Sequence, residues 1–326
     1  MMDLSQEELD SNVAGCPICG SDCVRTYLDE VSDRQRESSR TRTFRYLQCR
    51  TCYAIFLSPM PSVSAVSSFY PAASEYYAYQ AQASPRSYTW LGRIGTKRSI
   101  GAVLIRRLFF PFLRLHSSGR VLDIGCGAGH FLNVMQEMRW ETWGMEISQE
   151  AVEIAGTRHR VVHESTLSAA HLPQGYFDLI TMFQVIEHLV EPVQTMEAVY
   201  ALLKPGGHLV MHTPNAESRL AQHFGRDWRG LECPRHVCLY GPRALTHLLK
   251  GRGFHNIRYR TRPAPSDLID SLRLRAESSR KRPTILCRIP RDTAMYLLLP
   301  WTLYGVLRNR GNGSLLEATA EREGKT

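Results

Sequence analysis

A short apolar run ends in a glycine-rich turn near the middle of the chain, where residues 121–129 read Val-Leu-Asp-Ile-Gly-Cys-Gly-Ala-Gly. The run predicts a buried strand. Glycines at 125, 127 and 129 let the backbone turn sharply and approach a ligand closely before a helix begins near His130. A strand, a glycine-rich turn and a helix in this order indicate a cofactor site.

The segments that follow this turn alternate between apolar runs and helix-length stretches. Further strands are predicted at 142–147, 177–183, 208–213 and 254–262, with a last strand at 314–322. Such βαβα order predicts an α/β fold with a doubly wound, mostly parallel sheet and helices on both faces. Sheets of this kind bind ligands at the carboxyl ends of their strands.

Two acidic residues indicate which kind of cofactor the site binds. Glu146 ends the second strand, where a carboxylate can accept hydrogen bonds from both hydroxyls of a ribose. Asp123 ends the first strand and disfavours a phosphate ligand. The G-x-G-x-G spacing also differs from the dinucleotide pattern. Asp123 and the spacing of the glycines together favour a cationic ligand such as S-adenosylmethionine.

The motif at 121–129 resembles motif I of class I S-adenosylmethionine-dependent methyltransferases, and the family's other markers follow in order through residue 262. They include an adenine-contacting segment at 165–167, a Glu-His motif at 184–189 and a Lys-Pro-Gly-Gly turn at 204–207. The resemblance implies a Rossmann-like fold. It also implies that S-adenosylmethionine is bound by Asp123, Gly125, Cys126, Gly127, Gly129, Glu146, Ile147, Thr166, Leu167, Phe183 and Gln184, with Cys126 expected mainly to pack.

Four cysteines near the amino terminus form two C-x2-C pairs separated by 29 residues. Each pair closes a tight turn that directs two thiolates to one point, and four thiolates complete a tetrahedral Zn²⁺ site. With all four ligands from protein, the metal would be structural. The alternative is four unrelated buried thiols. The sequence therefore predicts an N-terminal zinc ribbon, with strand residues at 41–47 and the ligands Cys16, Cys19, Cys49 and Cys52.

Two histidines are candidates for a general base. A hydroxyl acceptor must lose a proton, and histidine has a pKa near neutrality. His188 follows the fourth strand of the family, and His236 lies in a loop that the family folds over its substrate. Glu187 and His188 also have a structural interpretation, as a helix cap or loop support. In some relatives this Glu-His region binds a divalent metal with a further acidic residue, but Gln184 occupies that position here.

The predicted organisation has four parts. They are a zinc ribbon at 1–60, an aromatic-rich linker and lead-in helix at 61–118, a methyltransferase core at 119–262 with 313–323, and a basic and apolar insertion at 263–312. This architecture resembles a bacterial subgroup of methyltransferases in surface-polysaccharide and natural-product sugar pathways. The resemblance implies a small-molecule substrate, a nucleotide- or lipid-linked sugar.

The distribution of charge and hydrophobicity restricts which partners and which cellular location the sequence allows. Of the net charge of +9, a local +8 lies at 258–310, from twelve basic and four acidic residues. The rest of the chain is therefore close to neutral, which argues against nucleic acid as a partner. The alternatives to a small-molecule methyltransferase are an RNA methyltransferase that uses the zinc ribbon to bind nucleic acid and a non-enzymatic cofactor-binding scaffold. No apolar run reaches membrane-spanning length and no secretion signal is present, so we expect a cytoplasmic protein. Basic residues flank an apolar stretch at 280–310, which fits either peripheral contact with the inner membrane face or a packed helical hairpin.

Overall fold

The computed structural model describes residues 15–33, 43–67, 69, 118–279, 312–324 and a few isolated positions between 289 and 304. The described residues form two sheets. Seven strands make the larger sheet: β4 (Arg120–Ile124), β5 (Glu141–Glu146), β6 (Arg160–His163), β7 (Phe177–Phe183), β8 (Leu203–Pro214), β10 (Phe254–Arg262) and β11 (Leu315–Arg322). Four strands make the smaller sheet: β1 (Val24–Ser32), β2 (Thr43–Cys49), β3 (Ile55–Ser58) and β9 (Cys238–Leu239).

The larger sheet has the order β10-β11-β8-β7-β4-β5-β6. Strands β4 to β8 run parallel, and β11 is antiparallel to both of its neighbours. The chain begins the core at β4, proceeds outward through β5 and β6, and returns to the other side of β4 with β7. The predicted Rossmann-like, mostly parallel sheet is therefore confirmed. The glycine-rich turn leaves β4 where the strand order reverses, which is where such sheets bind ligands.

Helices flank this sheet because their apolar sides pack onto strands that are buried on both faces. In β4 and β7, Val121, Leu122, Ile180 and Met182 are fully buried. The helices are α1 (Val63–Ser67), α2 (His130–Glu137), α3 (Gln149–Gly156), α4 (Pro192–Leu202), α5 (Arg219–Phe224), α6 (Pro242–Lys250) and α7 (Pro265–Ser279).

The smaller sheet joins the cysteine-rich segment to the core. Strands β1, β2 and β3 come from the N-terminal segment, but β9 comes from the core, after β8, and pairs with β3. One hydrophobic cluster includes Tyr46 and Phe56 from the N-terminal strands together with Trp228 and Cys238 from the core. The ribbon and the core segment at 228–239 thus share both a sheet and a hydrophobic cluster.

Helix α7 begins the predicted insertion and packs against the segment after β8. Ser271 Oγ accepts a hydrogen bond from the Arg229 amide at 2.9 Å, and Ser278 Oγ donates to Asp227 Oδ1 at 3.0 Å.

Three predicted features lie outside the described residues, and the predictions made for them stay predictions. They are the aromatic stretch at 70–79, the lead-in helix near 97–115 and most of 280–310. No helix within the described ranges combines the length and apolarity that crossing a membrane requires.

Candidate active site

The glycine-rich turn holds a backbone conformation that favours glycine. Gly125, Gly127 and Gly129 have φ angles of +72°, +51° and +77°. The amides of Gly125 and Cys126 both donate to the carbonyl of Met145, at 2.8 and 3.2 Å. The turn is therefore tied to the end of the neighbouring strand β5. We call residues 123–129 and 146–148 together the cofactor edge.

Glu146 is held at the cofactor edge by three backbone amides. Its Oε2 accepts from the amide of Gly127 at 2.8 Å, and its Oε1 accepts from Ile147 and Ser148 at 2.9 and 3.0 Å. The next side chain, Ile147, is apolar and 60% exposed. A fixed acidic group beside an exposed apolar surface is suited to a ribose and its attached base.

Asp123 is a buried carboxyl group at the same edge. Thr181 Oγ1 donates to its Oδ1 at 2.6 Å, and within the described ranges no basic side chain lies at ion-pair distance from it. Burial raises the pKa of Asp123 to about 7, with Glu146 adding to the rise and the Thr181 hydrogen bond opposing it. A positively charged ligand placed here would relieve this unfavourable burial of negative charge.

The remaining residues predicted to bind the cofactor lie around this edge. Leu167 is buried and Thr166 half-buried in the segment after β6. Phe183 ends β7, with its ring 5.1 Å from Phe131 and 4.5 Å from His212. Gln184 follows with a positive φ of +58°. Cys126 is buried and packs over Gly144, where a Cβ would come within 2.6 Å of its Sγ.

These residues fit an adenosine-type cationic cofactor. A Cβ built at Gly127 would meet nothing within 4 Å, so there is space in front of the turn. Glu146 lies beside this open backbone, since its carboxylate accepts from the Gly127 amide, and Asp123 and Ile147 belong to the same edge of the sheet. This combination of anionic groups and open backbone suits S-adenosylmethionine and would repel a pyrophosphate.

The four predicted metal ligands converge on one point. Cys16 Sγ lies 3.4 Å from Cys52 Sγ, and Cys19 Sγ lies 3.6 Å from Cys49 Sγ, without disulfide bonds. All four sulfur atoms lie within 4.8 Å of one another. Zn–S bonds of about 2.3 Å in a tetrahedron imply sulfur separations of about 3.8 Å, so the cluster needs little adjustment to hold Zn²⁺.

A second group of side chains forms beside the cofactor edge. It combines residues 185–188, which include the turn Ile186–His188 after β7, with residues 229–237, which follow β8; we call these residues the acceptor edge. The two edges touch, since a Cβ at Gly125 would come within 2.5 Å of Val185 Cγ2. The structure therefore brings the predicted base candidates to the end of the sheet that carries the glycine-rich turn.

Glu187 is fully buried at the acceptor edge. Its Oε2 accepts from Thr213 Oγ1 at 3.0 Å, whereas its Oε1 has no hydrogen-bond partner among the described residues. Burial raises the pKa of Glu187 to about 8, against the opposing hydrogen bonds from its own backbone and Thr213. Glu187 is thus a buried carboxyl group with one oxygen that accepts no hydrogen bond from the described residues.

His188 and His236 pack against each other, with ring centroids 4.7 Å apart and planes at 70°. His188 Nδ1 lies 3.0 Å from the carbonyl of Arg235, and His236 Nδ1 lies 2.8 Å from the carbonyl of Gly230. Because a carbonyl only accepts, each contact assigns the proton of the neutral ring to Nδ1. Burial lowers the pKa of both rings, that of His236 to about 3, so both are neutral at pH 7.

The two histidines differ in accessibility. His236 is 4% exposed and its Nε2 lies 3.7 Å from Glu232 Oε2, whereas His188 is half-buried. The ligand atoms of Glu187, His188 and His236 lie within 4.8 Å of one another and are of types that can hold a divalent cation. Gln184, which lies three positions before Glu187, offers no carboxylate to such a site.

Sequence reasoning missed Glu232 and Arg235 at the acceptor edge. Glu232 has a φ of +33° and pairs with Arg229 and with Arg235 Nε, the latter at 3.1 Å. Burial opposes ionisation of Glu232, but its charged neighbours outweigh burial and hold its pKa well below the usual range. The signal in the sequence was three charged residues within an otherwise apolar stretch at 228–240.

Residues 98–259 match a family model described as a methyltransferase domain. The chain contains a methyltransferase domain. Curated relatives of this domain include ubiquinone biosynthesis O-methyltransferase of Xanthomonas axonopodis pv. citri, 30% identical over 136 residues, which are 39% of this chain and 56% of that protein. The corresponding enzyme of Yersinia enterocolitica is 29% identical over 107 residues, covering 31% of this chain and 44% of that protein.

The chain spans about half the length of the curated relatives it matches. Among solved structures, a SAM dependent methyltransferase from Archaeoglobus fulgidus is 19% identical, with 76% of this chain and 99% of that chain covered and a TM-score of 0.49.

Proposed function

We propose that the protein transfers a methyl group from S-adenosylmethionine to a hydroxyl group of a small-molecule acceptor. The observation that carries the proposal is the contact between Gly125 and Val185, which sets the cofactor edge directly against the acceptor edge. One edge is suited to a cationic nucleoside and the other offers neutral imidazoles, as methyl transfer to a hydroxyl group requires.

Bound S-adenosylmethionine supplies a methyl group already activated on a sulfonium. The protein then has to bind and orient the cofactor and the acceptor, and to remove the proton of the acceptor hydroxyl group. Glu146 would hold the ribose hydroxyls, and Asp123 would favour the positive charge of the ligand. Positioning of this kind accounts for much of the rate enhancement when the reacting group is already activated.

His188 is the proposed general base. It is neutral at pH 7 because burial lowers its pKa, and with the proton on Nδ1 its basic electron pair lies on Nε2. His236 packs behind it and Glu187 precedes it in the same turn. We assign Glu187 and His236 to orienting the base and the acceptor, because both are more deeply buried than His188.

The acceptor class is proposed from two sources. The architecture of a zinc ribbon followed by a methyltransferase core supports a nucleotide- or lipid-linked sugar. The curated relatives are named as O-methyltransferases of ubiquinone biosynthesis, which supports an aromatic hydroxyl as the second candidate.

We also propose that the protein acts in the cytoplasm, with peripheral contact to the inner membrane face through residues 280–310, where basic residues flank an apolar stretch.

The test is transfer of tritium from methyl-labelled S-adenosylmethionine to separate pools of nucleotide sugars, glycolipids, polyprenylated catechols and total RNA. We expect label in one of the three small-molecule pools, dependent on enzyme and blocked by S-adenosylhomocysteine. Label confined to RNA, or no label in any pool from protein that binds S-adenosylhomocysteine, would overturn the proposal.

A separate flotation assay with anionic vesicles tests the membrane contact. Binding to the vesicles should weaken at high salt, because salt screens the attraction between basic residues and anionic lipids.

A further inference from the structure

The ribbon contacts the acceptor edge through an unbroken run of backbone groups. The amide of Leu57 in β3 donates to the carbonyl of Val237 at 2.9 Å, and β3 then pairs with β9 through Phe56 with Cys238 and Ile55 with Leu239. The backbone from Val237 to Leu239 is therefore an added edge of the ribbon sheet.

One side chain of the ribbon extends this run by one residue. Tyr46 in β2 is fully buried, and its hydroxyl donates to the carbonyl of His236 at 2.8 Å. The carbonyl of Leu231 is more distant, at 3.4 Å. A tyrosine hydroxyl has one proton, so the shorter contact to His236 is the hydrogen bond that matters.

The carbonyl immediately before this one is the acceptor for His188. The Arg235 carbonyl lies 3.0 Å from His188 Nδ1, and the next carbonyl, of His236, is held by Tyr46. The peptide group that carries the Arg235 carbonyl is held within the loop by the His236 amide, which donates to the carbonyl of Glu232 at 3.2 Å. Tyr46 holds the carbonyl of the next peptide group, which meets the first at the Cα of His236. The ribbon therefore contributes to the position of the segment that holds the acceptor of the His188 proton.

We propose that Tyr46 is a positioning residue for methyl transfer: by holding the His236 carbonyl, it keeps the Arg235 carbonyl aimed at His188 and thereby keeps the proton of His188 on Nδ1 and its basic pair on Nε2. The inference rests on the proposed function, in which His188 is the base. It gives the ribbon a role in the chemistry of the core, carried by residues 190 positions apart in the chain.

The substitution Tyr46→Phe tests this inference, because it removes one hydroxyl and keeps the ring. The first measurement is the tautomer of His188, read from the ¹⁵N signals of its ring in protein saturated with S-adenosylhomocysteine, with the signals assigned by their loss in His188→Ala. We expect the wild type to show the Nδ1–H form and Tyr46→Phe to shift toward the Nε2–H form. This readout needs no acceptor.

The second measurement is turnover with the acceptor that the labelling experiment identifies. We expect kcat to fall about three- to tenfold in Tyr46→Phe, with KM for S-adenosylmethionine unchanged, because loss of one hydrogen bond weakens orientation of the base and leaves the cofactor edge intact. Tyr27→Phe is the matched control: Tyr27 is half-buried in β1 of the same ribbon, and its substitution should change neither readout.

A double-substitution cycle separates positioning from general destabilisation. If Tyr46 acts through His188, adding Tyr46→Phe to His188→Ala should cause no further loss of single-turnover rate. An unchanged tautomer in Tyr46→Phe, or losses that add fully in the double variant, would overturn the inference. Failure of the proposed function is distinguishable, since it appears as absence of methyl transfer in the wild type whatever the tautomer of His188.

Discussion

The cofactor edge and the acceptor edge touch each other but are built in different ways. At the cofactor edge, the contact between Gly127 and Glu146 joins residues 19 apart, and the partners of Glu146 are backbone amides. At the acceptor edge, His188 depends on a carbonyl 47 residues away, which is next to one held by Tyr46, 190 residues away. The first edge follows from a local motif, and the second exists only when distant segments meet.

This difference predicts that the two edges fail independently. Changes at the ribbon or at His188 should impair methyl transfer and leave binding of S-adenosylhomocysteine intact. Changes at Glu146 or Asp123 should impair binding. Any substitution at one edge that disables both functions would show that the edges are not separate.

The largest effect is expected from Cys49→Ser, which removes one of four sulfur ligands. Structural zinc is worth about 10–16 kcal/mol in small zinc domains, so we expect zinc to fall from about one ion per chain to none by elemental analysis. Because β3 pairs with β9, methyl transfer should be lost as well, while calorimetry should show retained binding of S-adenosylhomocysteine. Cys23→Ser, at an exposed cysteine outside the cluster, should keep its zinc. Absence of zinc from wild-type protein prepared without chelators would refute the zinc assignment.

The next largest effect is expected at the base. His188→Ala should lower kcat by about 10²–10⁴-fold, the usual contribution of a general base, with unchanged binding of S-adenosylhomocysteine. His236→Ala should have a smaller effect on kcat, because His236 is buried behind His188. His247→Ala, at an exposed histidine on α6, is the control. The opposite ranking of His188→Ala and His236→Ala would assign the base to His236.

A moderate effect is expected for Glu146→Ala. Hydrogen bonds to a charged group contribute about 1.5–3 kcal/mol, so affinity for S-adenosylhomocysteine should fall about 10- to 150-fold in calorimetry. Glu153→Gln, an exposed acid on α3, should leave affinity unchanged. Undiminished affinity in Glu146→Ala would mean that Glu146 only fixes the turn through the amides of Gly127, Ile147 and Ser148.

The smallest effect concerns pH. Because burial raises the pKa of Asp123 to about 7, a cationic ligand that favours the ionised acid must displace a proton below that pH. Affinity for S-adenosylmethionine relative to S-adenosylhomocysteine should therefore rise as pH increases toward 7, by up to about tenfold per unit, and level off above it. In Asp123→Asn the ratio should not change with pH. A flat ratio in the wild type would contradict the assignment.

The raised pKa of Asp123 also predicts how the stability of the ligand-free protein depends on pH. A carboxyl whose pKa is higher in the folded than in the unfolded state opposes folding once it must ionise. The contribution of Asp123 should therefore become unfavourable as pH rises from about 4 to about 7. Urea unfolding of the ligand-free protein should show Asp123→Asn gaining stability relative to wild type across this range.

Sequence patterns predicted some strands at their observed bounds and others only in part or not at all: of β8, which spans Leu203–Pro214, only residues 208–213 were predicted, and residues 204–207 were expected to form a turn. Strands β7 and β10 have the bounds expected from their apolar or alternating runs. Strand β6 was missed because its four residues include a terminal arginine and histidine, and it lies at the edge of the sheet. The two-residue strand β9 has no periodicity of its own and is a strand only because β3 lies beside it.

Residue spacing alone was sufficient to predict that the four cysteines come together and that the glycine-rich turn and Glu146 lie at one edge of the sheet, because each depends on chain geometry over a few residues or one strand–turn–strand unit. The family resemblance nominated His188 and His236. Neither the spacing nor the resemblance contained anything about which ring is accessible, which nitrogen carries the proton or which ribbon residue holds the loop. Those properties arise from contacts between segments brought together by closure of long loops, and the free energy of such contacts leaves no local pattern in the sequence.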